Sequence, residues 1–217
     1  IATEANSRFE KDDTLIVYCS DKECSSSPTA AKKLSDSGFT NVYDFEGVGE
    51  NSASAPFPVA FTLLNDFHGK IKNAVRIFNF QSPRSFIEYK DRKYNERGFF
   101  FADSTYFSMF DHTFIKGKSE SALKEINSVV ITESMAQKYF ADEDPMGKIL
   151  KFETSLPLTV TAVIEDVPEQ SHFKFGFLAS MSSLRKTFGG QLPQTWVWNP
   201  CWTYLELDKT TNPKNLE

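Results

Sequence analysis

Ser128-Val129-Val130-Ile131-Thr132-Glu133-Ser134-Met135-Ala136-Gln137-Lys138-Tyr139-Phe140 is the stretch that decides the fold. It opens with a run of β-branched residues, the composition of a strand. At Thr132 the period changes. Met135, Ala136 and Tyr139 then recur at helical spacing, and Thr132 is the natural N-cap, so the segment predicts a strand running directly into a helix that ends at Phe140. Asp144-Pro145-Met146-Gly147 follows as a tight turn, and Leu158 to Ile164 alternates as a strand with one buried face.

Working outward from this unit, Val59 to Phe67 reads as a helix with Phe61, Leu64 and Phe67 at helical spacing. Ala74 to Phe80 and Phe86 to Tyr89 read as strands, with Asp91-Arg92-Lys93 as the turn that follows. Ser104 to Phe110 is a short helix and Thr113 to Ile115 a strand. Phe173 to Leu178 is extended, and Thr203 to Leu207 is a last strand. The class is α+β: mixed sheets with packed helices, in two lobes. The turn formers between Gly47 and Pro58 divide the chain into residues 1–50 and 51–217. Within the first part, Thr14-Leu15-Ile16-Val17-Tyr18, a polar loop, a helix from Thr29 to Ser37 and Asn41 to Phe45 make a short N-terminal βαβ-like segment of parallel type.

Composition limits the function. The 217 residues carry 24 Lys+Arg against 29 Asp+Glu, a net charge of −5, with no dense basic cluster. A nucleic-acid partner is excluded because nothing would neutralise its phosphates. No run of about 18 apolar residues suggests a spanning helix. The sequence starts at Ile1 rather than Met, as an excised ectodomain would. Three cysteines, Cys19, Cys24 and Cys201, make no disulfide framework.

Candidate chemistry is sparse. His68, His112 and His172 stand far apart with no carboxylate or Cys at ligand spacing, so no metal site is expected. No cofactor is expected either. Asp142-Glu143-Asp144 and Glu165-Asp166 read as solvated loops. Trp196, Trp198 and Trp202 lie close together around Asn199-Pro200-Cys201. They are either core packing or an apolar surface for a partner.

Several landmarks of the second part resemble the MacB-like periplasmic core of FtsX-type ABC-transporter permeases. In order they are Pro56-Phe57-Pro58, the run Phe100 to Phe110, Ser128 to Phe140, Asp144-Pro145-Met146-Gly147-Lys148, Thr159 to Pro168, and Ser171-His172-Phe173. The resemblance covers about residues 51–217. It implies a non-catalytic extracytoplasmic domain that couples conformational change in the membrane to substrate export or partner binding. The implied partners are the transmembrane part of its own permease, a separate ATPase subunit and a second permease copy. The implied location is the periplasmic face of the inner membrane. No Gly-x-x-x-x-Gly-Lys-[Ser/Thr] loop occurs, so ATP would be hydrolysed on another chain.

A second resemblance covers about residues 8–49. Val17-Tyr18-Cys19, Ser27-Pro28-Thr29-Ala30-Ala31-Lys32-Lys33-Leu34 and Gly38-Phe39-Thr40-Asn41-Val42-Tyr43 are similar to the C-terminal half of a rhodanese domain. That family would make Cys19 a persulfide-forming nucleophile and the protein a sulfurtransferase. Here the position five after that Cys holds Cys24 in place of the family's Arg, and the loop lacks Gly. No sulfurtransferase activity is therefore expected.

Overall fold

The computed structural model describes residues 11, 14–18, 32–38, 41–45, 54–168, 171 and 173–212. Cys19, Cys24, His172 and residues 29–31 of the expected 29–37 helix lie outside them, and residues 32–36 are helical. β1 (Thr14–Tyr18) and β2 (Asn41–Phe45) pair in parallel as expected, in a two-stranded sheet of their own.

The rest is built on one eleven-stranded mixed sheet. In chain order its elements are β3 (Ser54–Ala55), α1 (Val59–Asp66), β4 (Ile71–Phe78), β5 (Ser85–Tyr89), β6 (Arg92–Glu96), β7 (Phe99–Ala102), α2 (Tyr106–Met109), β8 (Phe114–Lys116), α3 (Ser119–Ala122), β9 (Ser128–Thr132), α4 (Glu133–Phe140), β10 (Ile149–Phe152), β11 (Leu156–Ile164), β12 (Phe177–Ser180), a 3₁₀ turn (Met181–Arg185) and β13 (Cys201–Leu207). The strand order is β3-β13-β4-β7-β12-β9-β11-β10-β5-β6, with β8 beside the end of β11. The strands of what the sequence suggested as two lobes are thus hydrogen-bonded into one sheet. The division that the structure shows is between two cores on its opposite faces.

Strand alternation assigns those cores. Val129 and Ile131 of β9 join Phe177 and Ala179 of β12 and Phe99 and Phe101 of β7 on one face, packed under α4. Val130, Leu178 and Ala102 point to the other face, where α2 and α3 supply Tyr106, Phe107, Ala122 and Leu123. β11 serves both through a register shift between Val160 and Ala162. Before it, Leu158 and Val160 face the first core; after it, Ala162 and Ile164 face the second. One extra residue has inverted the phase. β8 crosses close to this point, and Gly117 after it lies so near that a Cβ would stand 2.6 Å from the Thr161 carbonyl oxygen.

The strand-to-helix unit forms as its sequence predicts. β9 is buried along its whole length, α4 follows at once, and both Tyr139 and Phe140 are buried. Gly147 closes the following turn at φ 73°, with the Lys148 N–H donating to the Pro145 carbonyl. Capping differs from expectation. Thr132 occupies the N-cap position but its side chain makes no cap bond. Asp166, just past β11, does so instead: its carboxylate accepts the Ser134 N–H (3.1 Å) and the Ser134 hydroxyl. β11 runs parallel to β9, so its end delivers Asp166 to the start of α4.

Several sequence boundaries move, the strand expected over Ala74–Phe80 among them, which is Ile71–Phe78. The β5–β6 turn is Lys90-Asp91, because Arg92 and Lys93 already belong to β6, and Tyr89 pairs with Arg92. The strand expected over 173–178 is β12, beginning only at Phe177. Trp196 and Trp198 lie on an irregular segment and not on a strand, since β13 starts at Cys201.

Two tests follow from this packing. Phe140 is 1% exposed and its ring lies 4.5 Å from that of Tyr89. Phe140→Ala should lower stability by about 3–5 kcal/mol in urea titration. Burial pushes the Asp166 carboxyl up, but the bonds from Ser134 and Thr132 outweigh it and hold it below the ordinary range. A lowered carboxyl adds stability above its unfolded-state value and loses it as pH falls through the folded-state value. Asp166→Ala should therefore cost about 0.5–1 kcal/mol at neutral pH, and the difference from the parent should vanish on acidification.

Candidate functional site

The most constrained polar group of the described residues is an ion pair on β4. Arg76 donates from Nε and Nη2 to the two oxygens of Asp103 at 2.9 and 2.8 Å, a bidentate fork. Its own backbone N–H donates to Asp103 Oδ2 at 2.8 Å, and Nη1 reaches the Phe57 carbonyl at 3.0 Å. The Arg76 and Asp103 side chains are only 7% and 12% exposed. The guanidinium also lies 4.4 Å from the Phe61 ring centroid. β4, the loop after β7 and the entry to α1 are thereby held together at one point.

Cys201 is buried nearby, opposite Ala55 of β3 and Phe78 of β4. Burial pushes its thiol up to about 12, with the Arg76 charge pulling it down and the Asp103 charge pushing it up. Such a thiol is not ionised at neutral pH and is a poor nucleophile.

Beyond this pair the first core opens into an aromatic cap. Phe57, Phe78 and Phe188 pack with Trp198 at centroid distances of 5.7, 6.1 and 6.0 Å. Phe80 sits edge-on to Phe78 at 5.0 Å and stacks on Phe188 at 6.4 Å. The cap is not closed: Phe80 and Trp198 keep 43% and 38% of their surface exposed. Next to it Trp196 is 57% exposed and Val197 92%. The loop that carries them starts at Gly189-Gly190, both at positive φ, and is fixed at its far end by buried Pro200. Trp202 is on the opposite face, against Phe100 at 6.0 Å and Phe173 at 6.4 Å. The three tryptophans that looked like one cluster are divided among three settings. The exposed Phe80, which completes the apolar surface, is invisible in the sequence because it reads there as the end of a strand.

The groups that could do chemistry stay apart. His112 packs in the second core, its Nε2 3.2 Å from the Tyr106 hydroxyl. His68 sits in an isolated bridge to Ile71 after α1. Among the described residues no three His, Cys, Asp or Glu side chains converge as metal ligands, and no helix is long and apolar enough to cross a membrane.

A family model for the MacB-like periplasmic core domain matches residues 7–217. The match begins at residue 7, so it takes in the segment read as a partial rhodanese, and nothing in the comparisons supports that reading. A strand–loop–helix–strand pattern is common to many α/β units, so it fitted two families. No curated protein matches the chain. Among solved structures, the chain is similar to a domain of a putative permease protein from Porphyromonas gingivalis, at 21% identity and TM-score 0.61 over 75% of this chain and 67% of that one. It is also similar to the periplasmic region of MacB from Actinobacillus actinomycetemcomitans, at 16% identity and TM-score 0.54 over 72% and 70%. The extracellular domain of the noncanonic ABC-type transporter YknZ from Gram-positive bacteria follows at 15% identity and TM-score 0.50, over 75% and 85%.

The unequal exposure of the tryptophans is open to measurement. Trp196→Phe should remove most of the acrylamide-quenchable, red-shifted emission. Trp202→Phe should remove protected, blue-shifted emission and leave the quenchable part in place.

Proposed function

The chain belongs to the MacB-like periplasmic core domain family, and we propose that it works as a mechanical coupling element, moving as one body with the membrane part of its permease. It is the periplasmic domain of a MacB/FtsX-like ABC-transporter permease, and domains of this kind are non-catalytic. An ABC transporter has a membrane part and an ATPase. The specific proposal is that its own spanning segments and a separate ATPase subunit drive this domain, which passes the displacement to substrate or to a partner outside.

One observation carries this reading. β3, where the chain enters the large sheet, pairs antiparallel with β13, its last strand, at Ala55↔Cys201 and Ser54↔Trp202. Entry and exit therefore share one edge of the sheet. A pull on either end enters the same two strands, and β13 is bonded along its length to β4, which holds the Arg76–Asp103 pair. Close-packed cores on both faces resist shear, so such a pull moves the body as a whole.

The exposed aromatic loop is the proposed outlet. Trp196 and Trp198 are the anchors offered to a partner, and Trp202 serves packing. Residue 201 to residue 207 spans about 20 Å of strand, so this loop stands away from the end at which β13 leaves the sheet but next to β3, where the chain enters it.

Spin labels in the whole permease with its ATPase test the proposal. With Cys19 and Cys24 replaced by Ser, Glu206→Cys and Lys151→Cys report distances within the domain. Glu206→Cys paired with a label on the ATPase subunit reports its displacement. Between ATP-bound and ADP-bound states the first distance should hold, while the second changes by several ångströms, about 5 Å or more. An unchanged second distance refutes the coupling role.

A further inference from the structure

The longest stretch of the sequence without Asp, Glu, Lys or Arg runs from Thr187 to Leu205, and the next longest from Asn51 to Asn65. The fold brings the two together, with the Phe57 ring 5.7 Å from that of Trp198. Phe80, from a third segment, completes the patch by stacking on Phe188. A chain that is 24% charged has thus gathered its charge-free segments around one surface. The projecting part of that surface is Trp196-Val197-Trp198. Val197 keeps 92% of its surface exposed, the most of any large hydrophobic residue described, with an exposed Trp on each side.

The loop also satisfies polar groups of its own. Thr195 Oγ1 accepts the Val197 N–H at 3.3 Å, and the Leu192 carbonyl accepts from Gln194 Nε2 at 3.0 Å. The Gly190 N–H donates to the Arg185 carbonyl at 2.7 Å. Internal bonding and absent charge are what an apolar medium demands of a segment that enters it. Arg185 and Lys186, both exposed, stand immediately before the charge-free run, where cations suit the phosphates of a lipid headgroup layer.

We propose that Trp196-Val197-Trp198 seats in the headgroup–acyl boundary of the bilayer that holds its own permease, so that the partner met by the aromatic loop is a lipid surface. This rests on the reading above for one thing, that the domain works beside that bilayer. Trp suits the boundary because its ring is apolar while its single N–H stays wet. Val197 at the tip makes the deepest contact, with Trp198 and Phe80 as the shoulder. The attraction is apolar and not electrostatic, since the chain has a net charge of −5 and no dense basic cluster to draw it to anionic lipid. A protein partner fits less well: charged groups around a protein interface fix its register, and neither run offers one. A sugar would find no ring face on the most exposed residue, Val197. The loop also lies at the end of the sheet where the chain enters it, since it leads into Cys201 opposite Ala55 of β3. Three residues make a weak contact in dilute solution, and tethering to the membrane raises the effective concentration.

The test uses the whole permease, without nucleotide, in phosphatidylcholine bilayers. Cys19 and Cys24 are replaced by Ser, and Cys201 is buried. A bimane on Val197→Cys should lose emission to brominated phosphatidylcholine. Bromines high on the acyl chains should quench it more than bromines near the chain ends, because an interfacial seat is about 5–10 Å deep. A bimane on Ile126→Cys, 59% exposed and outside the patch, should keep its emission. Trp196→Ala changes only an exposed ring and should lower the seated-to-free ratio read at Val197→Cys about tenfold, as loss of one large buried apolar side chain would. Water-like emission that no bromolipid touches overturns the inference. So does blue-shifted emission that bromines leave intact, the mark of a protein partner, and so does quenching that is equal at Ile126→Cys or indifferent to Trp196→Ala. The coupling role is read separately, from the displacement of Glu206→Cys at the other end of β13. A Glu206 label that moves while Val197 stays unquenched refutes the lipid seat and leaves coupling standing.

Discussion

Much of the geometry around the proposed outlet depends on one buried guanidinium. Arg76 is a charged residue in the middle of β4, a strand otherwise closed to water over most of its length. An unpaired charge there would be prohibitive, and breaking such a pair commonly costs about 3–5 kcal/mol. The fold therefore has to place Asp103 within a bidentate fork, bring the Phe57 carbonyl to the remaining nitrogen and lay Phe61 across the plane. Those demands fix where the chain enters α1 and where β7 ends relative to β4. An apolar residue could fill the same volume, but it would not specify the positions of three chain segments at once. That directional demand ties β4, the end of β7 and the entry to α1 at one point.

The rest of the body follows from having one sheet and two faces. Most central strands are buried on both sides, so their sequences read as continuous apolar runs, as in Ser128 to Thr132 and Phe177 to Ser180. β11 shows how much hangs on register. Its single irregularity lets one strand supply both cores, and Gly117 crosses beside it where no side chain would fit. Such a body has few internal degrees of freedom, which suits a part that moves whole. Its surface leaves an aromatic cap open at Phe80, Trp196 and Trp198, and at the far end of the sheet the exposed edge of β6.

The family landmarks in the sequence are scaffold and not chemistry, and the structure explains why. Phe99 to Ala102 is a central strand feeding both cores, Asp103 is the partner of Arg76, and Asp166 caps α4. Each is fixed by packing or by a buried polar partner. The same reasoning shows why the first fifty residues suggested two families. Alternating apolar runs around a polar loop specify a strand–helix–strand unit, but they carry no chemistry that separates one such unit from another.

What the sequence determined by itself is the set of local elements whose period and punctuation are strong. The strand-to-helix passage at Thr132, the turn closed by Gly147, α1 and the existence of β11 were all legible, because each depends on neighbours within a few residues; the expected single buried face of β11 was not, since its bulge gives it to both cores. The non-catalytic character was legible too, through the resemblance of its landmarks to a family whose motifs are scaffold. The tertiary structure alone decided the rest. It decided that Asp166 and not Thr132 caps α4, since that depends on β11 lying beside β9. It decided that Trp198 packs on one core, Trp202 on the other and Trp196 stays mostly exposed, because the irregular loop before β13 has no period from which to read a face. And it decided that Arg76 is buried while Arg92 is at an edge. Adjacency between segments distant in sequence is set by the summed packing of the whole sheet, and no local pattern encodes it.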